Sequence, residues 1–276
     1  MKQNSAIPPT GPIAGRRSVD ETTEERPGGY CTRRTFLRGM GLVTASLAWR
    51  RELPADGPPI TTQARRIDDD NHVFITSAPH GRYLARVVTA REVLGKTFAT
   101  TGEILASTGA FVCFNGSFFE GDGSPSGLFV SNGSYKSPVT YDKGDGILYI
   151  DRTRRIRIIS KYHYAEHKDN IIDALQINLL TEDDLKLYED KTYKRRLPRN
   201  FIGTTPEGIV DIIYKNTNFT FGDRYMKEIH GCTVVGALDG GSSASAVDKL
   251  GKSSYNESRG DRPEAAVANF IVLYER

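Results

Sequence analysis

Short apolar runs recur along the chain from about residue 72 to its last residues, and polar turn residues separate them. Runs of four to eight residues that are rich in Val, Ile, Phe and Tyr and bounded by Gly, Asn, Asp or Ser are typical of β-strands. A chain with many such runs is expected to build its core around β-sheet. The pattern predicts strands at residues 72–76, 82–89, 111–114, 127–130, 146–150, 155–159, 209–214, 234–238 and 267–274.

Helical patterns are less frequent than strand patterns. Thr101 can cap a short helix that continues to residue 107, residues 181–184 are typical of a helix start, and residues 223–229 have helical spacing. The very basic stretch at 186–199 is expected to lie on the surface. Because the helices do not alternate regularly with the strands, we expect an α+β fold: a single domain with a mixed or largely antiparallel sheet and a few helices.

The N-terminal region has a different character. Residues 1–29 are rich in Pro, Gly, Thr and charged residues and lack apolar periodicity, which predicts disorder. Arg33 and Arg34 then precede a short apolar stretch at residues 39–49. A paired arginine before such a stretch is typical of a twin-arginine export signal, and the stretch is shorter than the roughly 20 apolar residues that cross a membrane. The alternative is a charged start to a core helix.

These features predict a division of the chain into three parts. An export leader occupies residues 1–48, because small residues favour cleavage after Ala48; a Pro-rich linker follows at residues 49–66, and a folded domain occupies residues 67–276. The twin-arginine export machinery would then be a partner, and the protein would be periplasmic or extracellular. It would contact a membrane only if the leader stayed uncleaved.

Charge is distributed unevenly along the 276 residues, whose formal net charge is +3. Residues 1–66 contain 11 Lys and Arg against 6 Asp and Glu, so the rest of the chain contains 26 against 28 and has a formal charge of about −2. A nearly neutral domain gives no reason to expect a nucleic-acid partner.

Two of the predicted strands run into polar turns of the same design. One turn follows residue 238 and reads Asp239-Gly240-Gly241-Ser242-Ser243. The other follows residue 114 and reads Asn115-Gly116-Ser117, with Glu120 three residues beyond it. A carboxylate at the end of a buried strand, beside exposed backbone N–H groups and hydroxyls, is a favourable place for chemistry.

Each of these turns is preceded by a cysteine. Cys113 and Cys232 are the cysteines of the predicted domain, and Cys31 lies in the predicted leader. Two neighbouring cysteines in an exported protein can form a disulfide, whereas two buried free thiols are the simpler interpretation. The sequence leaves both open.

Three familiar patterns receive little support from their context. Residues 163–167 fit the H-x-x-E-H pattern of some zinc peptidases, but a strand-like run leads directly into them, so a solvated loop is favoured and a zinc peptidase is the least favoured function. Residues 94–97 resemble the end of a phosphate-binding loop, but its earlier glycine would fall on Ala90. No G-x-S-x-G elbow is present, so Ser242 and Ser243 are not expected to be nucleophiles.

The sequence requires no cofactor, and no ligand cluster demands a metal, although twin-arginine export would allow one.

Five short segments occur in a fixed order over residues 110–276. They are Asn115-Gly116-Ser117-Phe118-Phe119, Pro125-Ser126-Gly127-Leu128-Phe129-Val130, residues 199–203, residues 238–243, and Arg262-Pro263 before the last strand. In this order they resemble the phosphodiester glycosidase family, whose pattern is N-G-G-F-F, P-x-G-L-x-V, R-x-x-x-G, L-D-G-G-x-S and R-P. Ser117 replaces one glycine, and Gln176-Ile177-Asn178 stands where many members have Q-S-G-P.

The resemblance implies an exported hydrolase that cleaves the sugar C1–O bond of a sugar 1-phosphodiester, such as an N-acetylglucosamine 1-phosphodiester or a glycopolymer. Asp239 or Glu120 would stabilise positive charge at the anomeric carbon or activate water, and Asn115 would bind a sugar hydroxyl or orient the carboxylate. The phosphate-binding groups would be Arg199, Arg262, Gly240, Gly241, Ser242 and Ser243.

Two alternatives remain open. The chain is either this enzyme or a non-catalytic envelope protein of the same fold that binds a glycan or a phosphopolymer. At the level of residues, Asn115 and Asp239 also suit ordinary turns, and Arg262 also suits a surface ion pair.

Overall fold

The computed structural model describes residues 58–67, 72–181, 196–254 and 264–276. The predicted leader at 1–48, most of the helix predicted to start at 181–184, and Arg262 lie outside these residues. In the described part the chain forms fourteen strands and four α-helices. The strands are β1 Thr61–Arg66, β2 His72–Pro79, β3 Tyr83–Thr89, β4 Val112–Asn115, β5 Phe129–Ser131, β6 Ser134–Ser137, β7 Gly146–Asp151, β8 Ile156–Ser160, β9 Ile171–Leu179, β10 Leu197–Thr204, β11 Gly208–Thr217, β12 Val234–Ala237, β13 Ala246–Asp248 and β14 Asn269–Glu275. The helices are α1 Ala90–Leu94, α2 Thr101–Thr108, α3 Tyr164–His167 and α4 Phe219–His230, and 3₁₀ turns occupy Lys161–His163, Lys168–Asn170 and Gly241–Ser243.

The strands form two sheets, and every strand pair among the described residues is antiparallel. The larger sheet has the order β1-β2-β11-β10-β12-β9-β5-β6, and β7 pairs with both β9 and β8. The smaller sheet has the order β13-β4-β14-β3. The predicted α+β domain with a largely antiparallel sheet and a few helices is therefore confirmed.

The two sheets stack face to face, and each is covered by helix on its outer face. The central core combines Phe74 and Ile202 of the larger sheet with Phe114 and Ile271 of the smaller sheet. On the outer face of the larger sheet, residues such as Phe201 pack against α4. On the outer face of the smaller sheet, residues such as Phe270 pack against α1 and α2. Since successive side chains of a strand point to opposite faces, strands buried on both sides read as continuous apolar runs.

The short helices begin and end where local capping groups are available. Thr89 caps α1 through a capping box with Glu92, and Thr100 caps α2 through a capping box with Glu103. Both helices end at a glycine in the left-handed conformation, as does α4 at Gly231. Such caps satisfy the terminal N–H and C=O groups that a helix leaves without intrahelical partners.

The start of the folded region differs from the sequence pattern. Strand β1 covers the last six residues of the predicted linker at 49–66 and pairs with β2 along its whole length. Thr61–Arg66 alternates exposed and more buried positions, as an edge strand does, but its TTQARR sequence is too polar to be recognised as one. Residues 61–66 therefore belong to the folded domain and not to the predicted linker.

A buried carboxyl group lies in the core between the sheets. Asp211, on β11, is fully buried, and its position between Ile209 and Ile213 turns it toward the central core. Among the described residues, neither of its carboxyl oxygens nor the hydroxyl of Thr76 on the neighbouring β2 has a hydrogen-bond partner. Burial raises the pKa of Asp211 well above its usual value, so the folded protein favours the protonated carboxyl.

This raised pKa predicts a pH dependence of stability. The stabilising contribution of the neutral carboxyl is complete below the unfolded pKa of about 3.9 and is lost as pH rises through the folded pKa. Asp211→Asn cannot ionise, so its free energy of unfolding is expected to fall less between pH 5 and pH 8 than that of the wild type, by about 1–3 kcal/mol. Urea unfolding at the two pH values measures this difference. Asp142→Asn, at an exposed position, should keep the wild-type pH dependence, and an unchanged dependence in Asp211→Asn would contradict the prediction.

Candidate active site

The two polar turns that follow β4 and β12 meet in space. The backbone N–H of Asp239 donates to the carbonyl of Gly116 at 3.0 Å, and the side-chain amide of Asn115 donates to the carbonyl of Asp239 at 2.9 Å. β4 belongs to the smaller sheet and β12 to the larger sheet. The Asp239 turn is therefore held where the C-terminal ends of two inner strands, one from each sheet, come together.

Asn115 is buried and uses its side chain entirely within the protein scaffold. Its side-chain oxygen accepts from the amide of Asn200 at 2.9 Å and from the backbone N–H of Ser245 at 3.1 Å. Its side-chain nitrogen donates to the carbonyls of Gly116 and Asp239. With two donated and two accepted hydrogen bonds the amide is saturated. These contacts tie Asn115 to the backbone of the Asp239 turn and leave its amide no free donor or acceptor.

The residues after Asp239 wrap around its carboxylate. The backbone N–H of Gly240 donates to Oδ1 of Asp239 at 2.9 Å, and the Ser243 side chain also hydrogen-bonds to this carboxylate. Gly241 has a φ of +62°, a conformation that favours glycine, and it opens the 3₁₀ turn that brings Ser243 back. Gly240 and Ser243 thus hold the carboxylate, whereas the sequence pattern had indicated phosphate binding for both.

The pKa of Asp239 reflects two opposing effects. Burial raises it above its usual value, while the hydrogen bonds from Ser243 and Gly240 and the positive charge of Arg199 lower it, with burial dominating. A carboxylate with a raised pKa is a better proton acceptor than an exposed aspartate, and a partly desolvated charge interacts more strongly with a nearby cation.

Arg199 lies on β10 beside this turn. Its guanidinium carbon is 4.1 Å from the ring centroid of Phe219, the first residue of α4. A Cβ atom at Gly240 would lie 3.7 Å from Nη1 of Arg199 and 3.1 Å from the carbonyl of Pro198. The glycine therefore allows the turn to approach Arg199 and Pro198 closely. Stacking on an aromatic ring orients the planar guanidinium for bidentate binding of an oxyanion.

The remaining predicted site residues lie away from this turn or outside the described residues. Glu120 is exposed on the hairpin that follows the Asn115 turn, where its carboxylate accepts from the Ser126 hydroxyl at 2.6 Å. No contact in the described part of the chain joins Glu120 to Asp239 or Arg199. Ser242 is exposed on the outer side of its turn. Arg262 lies outside the described residues.

Asn200 and Asn269 support the site but were not proposed as site residues from the sequence. Asn200 is fully buried and bonds to Asn115, as described above. The side chain of Asn269 accepts from the backbone N–H of Ser117 at 2.7 Å and donates to its carbonyl at 3.1 Å. A Cβ at Gly116 would overlap the Asn269 side chain. The sequence signal for each residue was a single amide side chain beside an apolar run. A buried amide needs hydrogen-bond partners, so such a residue indicates a structural contact.

Gln176, on β9, fixes the loop beside the Asn115 turn. Its side-chain oxygen accepts from the backbone N–H groups of Leu128 and Thr140 at 3.1 and 3.0 Å. Its side-chain nitrogen donates to the carbonyls of Thr140, Lys143 and Gly144, and its backbone carbonyl accepts from the Ser117 hydroxyl. Although the sequence departs from the family pattern directly after Gln176, the glutamine itself connects residues 140–144 to the site.

The H-x-x-E-H segment forms a 3₁₀ turn followed by α3. His163 pairs with Glu166 at 3.1 Å, and His167 contacts the hydroxyl of Tyr149 at 3.2 Å, so the two histidines have different partners. Among the described residues, no group of three or more His, Cys, Asp or Glu side chains is arranged to hold a metal ion.

The two cysteines of the domain are free thiols. Cys113 packs in the core under α1 and α2, and Cys232 packs in the core under α4. These cores lie on opposite outer faces of the stacked sheets. The disulfide alternative is therefore wrong for this structure, because the pair is separated by both sheets.

Comparison with known proteins identifies the family. A family model described as phosphodiester glycosidase matches residues 108–274. The chain belongs to the phosphodiester glycosidase family. The matched region contains both polar turns, Arg199, Asn200 and Asn269. A search of curated protein sequences finds no match.

Two solved structures share the fold. The catalytic domain of zebrafish N-acetylglucosamine-1-phosphodiester alpha-N-acetylglucosaminidase, auto-inhibited by its pro-peptide, is similar with a TM-score of 0.59 and 14% identity, over 81% of this chain and 86% of that chain. A hypothetical protein from Synechocystis is similar with a TM-score of 0.53 and 12% identity, over 82% of this chain and 65% of that chain. At these identities the likeness concerns the fold alone, and the family assignment rests on the sequence match.

Proposed function

We propose that this phosphodiester glycosidase family member hydrolyses a sugar 1-phosphodiester, breaking the bond between the anomeric carbon and the phosphate oxygen. The observation that carries the proposal is the half-buried Asp239 carboxylate, held by Gly240 and Ser243 and lying within electrostatic range of Arg199. The zebrafish protein of the same fold is named for hydrolysis of an N-acetylglucosamine 1-phosphodiester, which makes a substrate of this class the first one to test.

The chemistry of a phosphodiester suits these residues. A phosphodiester leaves as a stable anion, so protonation of the leaving group matters less than stabilisation of positive charge at the anomeric carbon. In the proposed reaction the carboxylate of Asp239 provides that stabilisation or takes a proton from the attacking water. Its pKa, raised by burial, favours the second role.

Arg199 is proposed to bind the phosphate group. A guanidinium presents two parallel N–H donors to an oxyanion, and stacking on Phe219 limits its motion. Its charge would balance the charge that develops on the departing phosphate, which is the kind of electrostatic stabilisation that most lowers a barrier. Gly241 and Ser242, on the outer part of the turn, are the residues of the L-D-G-G-x-S segment best placed to add hydrogen bonds.

The direct test is an assay of the purified chain on N-acetylglucosamine 1-phosphodiesters. We expect release of N-acetylglucosamine together with a phosphomonoester, because cleavage at the C1–O bond leaves the phosphate on the other product. Reaction in ¹⁸O-labelled water should place the label on the sugar. Absence of sugar release from every such diester, with retained binding of a glycan or a phosphopolymer, would support the non-catalytic envelope protein instead.

We also propose export by the twin-arginine route, on the basis of Arg33, Arg34 and the apolar stretch that follows them. None of the helices in the described residues is long and apolar enough to span a membrane. Replacing both arginines with lysine is expected to reduce export by more than about tenfold, because the receptor reads the arginine pair as an address. Cell fractionation in a bacterial host measures this, with Arg16→Lys and Arg17→Lys together as the matched control. Unchanged export of the Arg33 and Arg34 variant would refute the route.

A further inference from the structure

Three arginines line a small pocket that has no part in the proposed active site. The pocket lies where the β2–β3 turn and the β7–β8 turn meet the end of β14. It has a volume of about 100 Å³, compared with about 30 Å³ for one water molecule in the liquid, so it can hold a small oxyanion. Its lining residues are Gly81, Tyr83, Thr153, Arg154, Arg155 and Arg276.

The pocket and the Asp239 site lie at opposite ends of the larger sheet. Arg199 pairs with Tyr214 on β11, whereas Pro79, just before the β2–β3 turn, pairs with Gly208 at the other end of β11. Six residues of extended strand separate these positions, which corresponds to about 20 Å. Gly81 and Tyr83 also lie outside the region matched by the family model, residues 108–274.

Arg154 adopts a backbone conformation that normally belongs to glycine. The β7–β8 turn is closed by hydrogen bonds from the N–H of Asp151 to the carbonyl of Arg155 and from the N–H of Arg154 to the carbonyl of Asp151. This places Arg154 at a φ of +65°. Short hairpin turns commonly fill such a position with glycine or asparagine. A bulky residue held there points to a role for its side chain.

The guanidinium of Arg154 is half-buried, and its Nη1 atom is buried without a hydrogen-bond partner among the described residues. Burial, followed by the positive charge of Arg86, lowers the pKa of Arg154; the Asp173 carboxylate acts in the opposite direction, and Arg276 lowers the pKa further. A buried donor without a partner is unfavourable unless an acceptor joins it.

The nearest acidic groups are committed to other donors. The Asp151 carboxylate accepts from the N–H groups of Thr153 and Arg155 and from Nε of Arg157 at 3.3 Å. The Asp173 carboxylate accepts from Nε of Arg86 at 2.8 Å and from backbone N–H groups. Neither carboxylate accepts a hydrogen bond from Nη1 of Arg154, so this donor remains available to a ligand.

Tyr83 adds a neutral donor to the pocket. Its hydroxyl accepts from the N–H of Ile156 at 3.4 Å, and burial raises its pKa to about 12. The hydroxyl therefore keeps its proton and can donate it to an anion.

We propose that this pocket is a binding site for a phosphate group, either as free phosphate or as part of a larger phosphorylated molecule. Three arginines line this one small cavity, and guanidinium groups match a doubly charged oxyanion, because each presents paired N–H donors to its oxygens. Binding at this pocket does not depend on the proposed hydrolysis, so it can be measured without substrate turnover.

Thermal unfolding in inorganic phosphate tests the proposal. At about tenfold above the dissociation constant, phosphate is expected to raise the Tm of the wild type by roughly 3–6 °C relative to chloride of equal ionic strength. Arg154→Gly should keep or raise the Tm without phosphate, because glycine tolerates the positive φ, and it should lose most of the phosphate-dependent rise. Arg155→Gln, at an exposed position, should weaken phosphate binding about tenfold or more without loss of folding.

Two controls separate this site from others. Arg152→Gln removes the same charge from the same exposed turn but not from the pocket lining, so it should keep the full phosphate effect. Arg154→Gly should also keep the hydrolytic activity. A phosphate effect as large in Arg154→Gly as in the wild type, or one no larger than that of chloride, overturns the proposal. A matching titration with glycerol phosphate identifies the source: an equal effect indicates a phosphorylated ligand, and an effect of inorganic phosphate alone indicates the free ion.

Discussion

Asp239→Asn is expected to lower kcat/KM on a sugar 1-phosphodiester by about 10³-fold or more while leaving the protein folded. The amide has the same shape and keeps an oxygen for the Gly240 N–H, but it carries no negative charge and cannot take a proton from water. Positioned proton transfer and charge stabilisation each contribute about 10²–10⁴-fold to catalysis. Steady-state rates of sugar release and thermal unfolding measure the two halves of this prediction.

Glu120→Gln is the matched control for Asp239→Asn. It makes the same chemical change at an exposed carboxylate whose described contact is with Ser126, so kcat/KM should change by less than about tenfold. If Asp239→Asn retained wild-type turnover while Glu120→Gln lost it, the assignment of the catalytic carboxylate would be reversed. A loss of folding in Asp239→Asn would instead mean that the turn depends on the charge, and single-turnover assays at low temperature on the folded fraction would then decide its catalytic role.

Asn115→Ala is expected to reduce both stability and activity. Four hydrogen bonds meet at this buried amide and join the Asp239 turn to Asn200 and Ser245. Removing the side chain leaves several buried partners unsatisfied, at about 1–3 kcal/mol each before relaxation, so the free energy of unfolding should fall by about 2–4 kcal/mol. Because Asp239 loses a support rather than its carboxylate, kcat/KM should fall by about 10–100-fold, less than in Asp239→Asn. Urea unfolding and kinetics on the same preparations test both values.

Asn200→Ala gives the comparison for this effect. Asn200 donates one bond to Asn115, and its own side-chain oxygen has no hydrogen-bond partner in the described part of the chain. Removing it therefore costs one hydrogen bond and also removes a buried acceptor that was unsatisfied, so we expect a smaller loss of stability, about 1–2 kcal/mol. An Asn115→Ala protein as stable as Asn200→Ala would show that the amide at 115 does not hold the two turns together.

Strand prediction succeeded for most of the strands on which the core imposes an unbroken apolar pattern. Strands such as β7 and β14 are buried over most of their length and read as unbroken apolar runs. The pattern missed β1 and β6, because TTQARR and SYKS are polar and exposed, and strand pairing rather than composition places them in the sheet. It also missed β9 and β10, because polar residues such as Gln176 and Asn200 interrupt their apolar pattern, although most of β9 and the second half of β10 are buried. β13, which was missed too, is three residues long and is a strand through its register with β4.

The candidate site was accessible to sequence reasoning only in part. A carboxylate directly after an apolar strand marked Asp239, and the order of five short segments indicated the family. The sequence could not show which group each of these residues contacts. Gly240 and Ser243 were expected to face phosphate, and they hold the Asp239 carboxylate instead. Glu120 was a candidate because it is close in sequence to Asn115, but the hairpin carries it to an exposed position.

The sequence by itself determined the β-rich class of the fold, the family and the aspartate at the end of β12, because these follow from local periodicity and from the order of short motifs. Only the tertiary structure decided which residues meet. Asn115 joins Asp239, Asn200 and Ser245 across 124, 85 and 130 residues of chain, and Arg276 meets the distant Arg154 and Arg155 at one pocket. Such contacts depend on strand register and on how the two sheets stack. Register and stacking are set by the packing of the whole core rather than by any local pattern of residues.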